Sequence, residues 1–193
     1  MIYIMKKHYL FYLFLAFAFL LTSCGLGEKS YPEQVFDKVA VAANKVPNGF
    51  KVHFREIRGQ LKAGSLVIVT PENEVKKVNA TEYVTNHYVT MFEKDMQAIR
   101  EMKTDDETKP IFAATLDLFQ YIDNIYKTDM LRIAKMIDDG QPDENIDAAI
   151  EELEASKSKL IDERFNKVYD LIMPYADKHG VDYKIMDTPN FSK

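Results

Sequence analysis

Three features of the sequence predict a mainly α protein, an antiparallel bundle of three to four helices. Apolar residues recur every three or four positions over most of the stretch from Ala80 to Ile172, which is the period of a helix with one buried face. The breaks between these runs are short, and short connectors make successive helices antiparallel neighbours. Strand-like patterning is brief and centres on residues 50–70, too little for a sheet that stands without helices packed on it.

The first helix opens at Ser30, Tyr31 and Pro32, with Ser30 as N-cap and the proline in the first turn, where a missing N–H costs little. Val35, Val39, Ala42 and Val46 share one face, and Pro47-Asn48-Gly49 ends the helix. Residues 50–70 admit two readings. Phe50, Val52 and Phe54 alternate with Lys51 and His53, and Leu66 to Val69 is a largely β-branched run between Gly64 and Pro71, which suits a short β-hairpin. A helix from Lys51 to Lys62 with Val52, Ile57 and Leu61 inside fits the same residues, and short apolar runs do not separate the two.

From Ala80 the helical period is clear. Val84, Tyr88, Met91, Phe92, Asp95, Ile99 and Met102 predict one helix over about 80–103, interrupted on its apolar face by Asp95 alone. Thr108 can cap the next helix, with Pro110 in its first turn, and a stripe from Ile111 through Leu118, Ile122 and Ile133 to Ile137 runs along it until Gly140. The last helix opens around Pro142, with Asp143, Glu144 and Asp147 at the positive end of its dipole. Its stripe is Ile146, Ile150, Leu153, Leu160, Ile161, Phe165, Val168 and Ile172; Pro174 is expected to kink or end it near Tyr175, and Gly180 closes it. Helices of about 30 residues are ~45 Å long.

Ahead of the bundle, Lys6 and Lys7 precede an apolar run from Tyr9 to Leu21. That is the layout of a signal-peptide core, and it is shorter than the ~20 residues that span a bilayer. The small Thr22 and Ser23 follow, then Cys24, the only cysteine in the chain. Leu21-Thr22-Ser23-Cys24 resembles the lipobox of bacterial lipoproteins. The resemblance implies that residues 1–23 are cleaved, that the Cys24 sulfur takes a diacylglycerol, and that the new amino terminus is open to acylation by a fatty acid such as palmitate. Gly25 stands where an aspartate would favour inner-membrane retention, and Gly25 to Lys29 holds a single acid. By the same resemblance these point to the outer membrane, facing the periplasm. Small and polar residues 24–30 suit a tether, residues 31–183 a single helical domain, and residues 184–193 a tail.

Removing residues 1–23 leaves 23 basic and 30 acidic side chains, a net charge of −7. Such a surface disfavours nucleic acid and acidic lipid heads. With Cys24 acylated no thiol remains for a disulfide, a zinc site or a nucleophile.

Within residues 80–183 the segments Ile111 to Phe119, Lys159 to Phe165 and Tyr175 to Gly180 are similar to an uncharacterised family of helical bacterial surface or envelope lipoproteins. The family carries no agreed activity, so no catalytic position transfers from it. The chain lacks a Gly-rich phosphate loop, GxSxG, HExxH and the Glu-x-x-His pairs of di-iron bundles. His179, at a helix end, reads as a dipole partner, and His87 as a boundary residue. On a helix His53 and Glu56 would share a face, and His53-Phe54-Arg55-Glu56 is similar to the H-x-x-E element of imelysin-like lipoproteins linked to iron uptake, although Gly49 lies four residues before the histidine rather than two. Asp138-Asp139-Gly140-Gln141-Pro142-Asp143-Glu144 departs from the calcium-loop pattern and reads as a solvated turn. Tyr83, Tyr88, Tyr121, Tyr126, Tyr169 and Tyr175 lie on or beside the stripes.

The sequence therefore predicts an envelope lipoprotein, lipidated at Cys24, acting as a non-catalytic binding or scaffolding module with an envelope protein as partner. A small-ligand or metal-binding protein with its site between helices is the alternative. No catalytic residue, cofactor or metal ligand is assigned.

Overall fold

The computed structural model describes residues 29–47 and 49–184. The expected signal peptide, Cys24, most of the tether, Asn48 and the tail from residue 185 lie outside the described residues. The chain is mainly α, with one short antiparallel hairpin. Helix α1 (Tyr31–Phe36) continues through a π-helical turn, Asp37–Val41. Its face buries Val35, Val39 and Ala42, as the spacing predicts, whereas Val46, expected on the same face, lies in a bend beyond the helix and is half-buried.

Residues Phe50–Lys62 form a helix, α2. The helical backbone decides between the two readings, with Phe50, Phe54 and Ile57 buried, while Val52, which the helix reading also placed inside, is 42% exposed. A strand would have put Val52 on the same face as both phenylalanines. The hairpin lies further on: β1 (Val67–Val69) pairs with β2 (Val75–Lys77) in the register Val67↔Lys77, Ile68↔Lys76, Val69↔Val75. Asn73, with φ 62°, makes the turn.

The helix expected over 80–103 is two helices, α3 (Ala80–His87) and α4 (Glu93–Glu101). Between them the amides of Tyr88 and Val89 both reach the Val84 carbonyl, and tight turn bonds from Met91 to Tyr88 and from Glu93 to Thr90 follow. The break lets Tyr88 meet Tyr126 edge-on at 5.3 Å and Phe92 stack on Phe119 at 4.6 Å. Each such aromatic pair contributes ~0.5–1.5 kcal/mol beyond area burial, comparable with the net worth of a helical hydrogen bond. Asp95, the polar interruption, pairs with Lys45 at 2.7 Å.

Helix α5 (Thr108–Ile125) passes through a π-helical turn, Tyr126–Met130, into α6 (Leu131–Asp138). Its cap is Asp105 rather than Thr108. The Asp105 carboxylate accepts from the amides of Glu107 and Thr108 and from the Thr108 hydroxyl, and that hydroxyl accepts from the Asp105 amide. Helix α7 (Asp143–Lys178) is 36 residues long and runs on through Pro174. Pro174 and Asp170 are both exposed, so the carbonyl that the proline leaves unpaired faces water. Buried Ile172, Tyr175 and Ala176 hold that turn on the core. Leu160, expected in the stripe, is 40% exposed.

α5 packs on α7, α3 on α6, α4 on α5, and α2 on the first half of α7. No helix among the described residues is long and apolar enough to cross a membrane.

Candidate functional site

Helices α2 and α7 meet along a seam that is apolar at its base and charged at its rim. Phe50, Phe54 and Ile57 from α2 and Ile146, Ile150 and Leu153 from α7 are buried. Outside them, Lys51, Arg55, Arg58 and Lys62 recur on α2 at offsets of four, three and four, which places all four on one face. Asp143, Asp147, Glu151 and Glu154 do the same on α7.

The two rows pair in part. Arg58 bridges Asp143 at 2.7 Å and also Asp147, and these carboxylates hold its guanidinium more firmly protonated than usual, the Asp147 hydrogen bond being the largest cause. Lys51 approaches Glu151 at 3.5 Å. Glu154 reaches across the seam and accepts from the Phe50 amide at 2.6 Å, capping α2. Gly49 has φ +109°, a backbone conformation that favours glycine, and a Cβ there would also stand 2.9 Å from the Glu154 carboxylate.

Two open grooves follow from this arrangement, one on either side of Arg58. The first, of about 420 Å³, has Ile150 as its floor and Lys51, Arg55, Arg58, Asp147 and Glu151 as its walls. The second, of about 440 Å³, is floored by Leu61, Ile137 and Ile146 and passes Gly59 and Lys62. A Cβ on Gly59 would meet nothing within 4 Å. Among the described residues, Arg55 and Lys62 pair with no carboxylate. Each groove thus keeps one uncompensated cation.

The histidines flagged in the sequence lie at the opposite face of α2. His53 Nδ1 is 2.9 Å from the Tyr88 hydroxyl. His87 packs edge-on against Tyr88 and stacks on Tyr83, and Tyr88 in turn meets buried Tyr126. The structure therefore gathers His53, His87 and three of the six tyrosines into one cluster. Burial lowers the His53 pKa, partly opposed by Glu56 and Glu154 and reinforced by His87. Burial also raises the Tyr88 and Tyr126 hydroxyls far above the usual phenol range. These rings are uncharged at neutral pH, and the His53–Tyr88 contact is a neutral hydrogen bond. Among the described residues no three His, Cys, Asp or Glu side chains converge as metal ligands.

His179 ends α7, packs at a tilt against Tyr175 with ring centroids 4.5 Å apart, and places Nε2 2.9 Å from Glu107. The acidic turn is more than solvated: Asp138 accepts from the amides of Ala80 and Thr81 at 2.8 and 2.9 Å, capping α3 from a distant part of the chain.

No protein-family model, curated protein or solved structure matches this chain. The charged seam is the part that sequence reasoning missed. Its signal, a basic row at 51, 55, 58 and 62 facing an acidic row at 143, 147, 151 and 154, becomes legible only once residues 50–62 are read as a helix.

Proposed function

We propose that this protein is an envelope lipoprotein, anchored through acylated Cys24, whose helical domain is a non-catalytic binding or scaffolding module for another envelope protein. One observation carries the reading: Leu21-Thr22-Ser23-Cys24 follows a basic start and an apolar run and stands seven residues before the helix at Tyr31. Two acyl chains on one residue are enough for stable attachment. Seven extended residues reach at most ~25 Å, so the anchor keeps the bundle beside the bilayer and limits its partners to molecules found there. Gly25 after the cysteine supports the outer membrane, and the single acid in Gly25 to Lys29 supports the periplasmic face.

Metabolic labelling with a palmitate analogue, followed by detergent phase separation, tests the anchor. Wild type is expected to be labelled and to enter the detergent phase, and Cys24→Ala to do neither. Labelling that persists in Cys24→Ala would remove the basis of the proposal. A second reading, a small-ligand carrier, is favoured by the groove over Ile150, whose volume of about 420 Å³ is in the range of small-molecule sites.

A further inference from the structure

The partly paired seam between α2 and α7 has a chemical preference. Lys51 and Arg58 are engaged by Glu151, Asp143 and Asp147, which leaves Arg55 in one groove and Lys62 in the other. Four cations against three carboxylates line the two grooves, on a chain whose net charge is −5. The free cations are seven residues apart, two turns of α2, so they share a face and stand ~10 Å apart along it. An extended peptide in the polyproline II conformation has three residues per turn and advances ~3.1 Å per residue, so carboxylates three residues apart fall on one face ~9 Å apart and match that spacing. Ile150 under Arg55 and Ile146 under Lys62 offer apolar floor to the residues between.

We propose that this seam binds an extended acidic peptide segment of an envelope partner, its carboxylates pairing with Arg55 and Lys62 and its apolar side chains lying over Ile150 and Ile146. The proposal rests on the reading of the protein as a binding module and names the chemistry of what it binds. Arg55 supplies a planar fork suited to a carboxylate, and Lys62 a mobile point charge. Because the carboxylates of α7 already hold Arg58 and Lys51, an incoming acid need not displace a pair to reach either free cation.

The test uses the full chain in mild detergent and a fluorescent dodecapeptide with glutamate at every third position, separated by threonine and valine. Saturable binding is expected. It should weaken at least tenfold in Arg55→Glu/Lys62→Glu and fall with added salt, while the lysine-for-glutamate peptide does not bind. Lys94→Glu/Lys167→Glu makes the same change in net charge elsewhere and is expected to bind as wild type does. Arg55→Gln/Lys62→Gln, with an unchanged melting temperature, keeps the result interpretable if charge reversal disturbs the fold. Equal binding by wild type and both Arg55/Lys62 variants, or equal loss in the Lys94/Lys167 control, would overturn the proposal. So would the absence of peptide binding alongside Arg55-dependent binding to phosphatidylglycerol vesicles, which would assign the seam to lipid. Acyl labelling of the same preparation reports on the anchor separately: a labelled protein that ignores the peptide defeats this inference alone, and an unlabelled one that binds it defeats the anchor alone.

Discussion

Tyr88 and His53 share a hydrogen bond of 2.9 Å at a place where burial disfavours charge on either ring. The consequence is a pH dependence whose sign follows from the lowered imidazole pKa. As pH falls below about 6.5, the unfolded chain takes up a proton at His53 before the folded one does. The contribution of this group to stability is therefore complete above about pH 6.5 and is lost as pH falls towards its lower folded pKa. Glu56 on the same helix, Glu154 from α7 and His87 from α3 all act on the imidazole; the carboxylates oppose the shift and His87 adds to it. Melting temperatures from pH 7.5 to 5.5 should fall more steeply for wild type than for His53→Asn, which keeps an acceptor for Tyr88 but cannot titrate. Identical slopes would mean that His53 is not the group responsible. The imidazole itself was visible in the sequence. Its partner was not, because Tyr88 lies 35 residues away and only the fold brings the two rings together.

Helix ends in this protein are capped from a distance as well as locally. Asn79 and Glu82 form a capping box at α3, a pattern readable from four consecutive positions, while Asp138 takes the Ala80 and Thr81 amides from the end of α6. Replacing Asp138 by alanine should cost ~0.5–2 kcal/mol, the range of a lost cap. Chemical denaturation of Asp138→Ala against Asp139→Ala checks this, since the Asp139 carboxylate pairs with Lys135, one turn back along the same chain segment, and equal costs would contradict the capping role. The same contrast separates what the sequence discloses from what it withholds. Spacing alone placed α5 to α7, because Ile111, Leu118, Ile122, Ile146 and Ile150 repeat with the helix period. It joined α3 to α4 because Tyr88 and Phe92 also fit that period; the turn between them is set by Phe119 and Tyr126, which lie on another helix. Alternation at Phe50, Val52 and Phe54 imitated a strand, and the exposed side of α2 became evident only through its packing on α7.

At the scale of the molecule, a bundle of paired helices is fastened at several places by ion pairs between elements. Lys178 and His179 at the end of α7 meet Glu107 at the start of α5. Arg164 joins α7 to α5 by pairing with Asp117 at 3.0 Å and lying over the Tyr121 ring at 4.2 Å. The exposed large apolar side chains Val41, Val52, Val69, Val75 and Leu160 are spread over α1, α2, the hairpin and α7, with Val69 and Val75 facing each other across the strands. Among the described residues the charged seam, unlike these scattered side chains, combines open grooves with an unbalanced charge. Such an architecture suits a body that presents a face to a neighbour, and under the proposed function acylation of Cys24 would keep it at a membrane. The claim is tested most directly by cross-linking tagged wild type and Cys24→Ala in native membranes and identifying the bound proteins, metals and small molecules by mass spectrometry. One envelope protein is expected to be recovered with wild type and lost or reduced with Cys24→Ala; recovery of a stoichiometric metal or small molecule with no protein partner would overturn the binding-module reading.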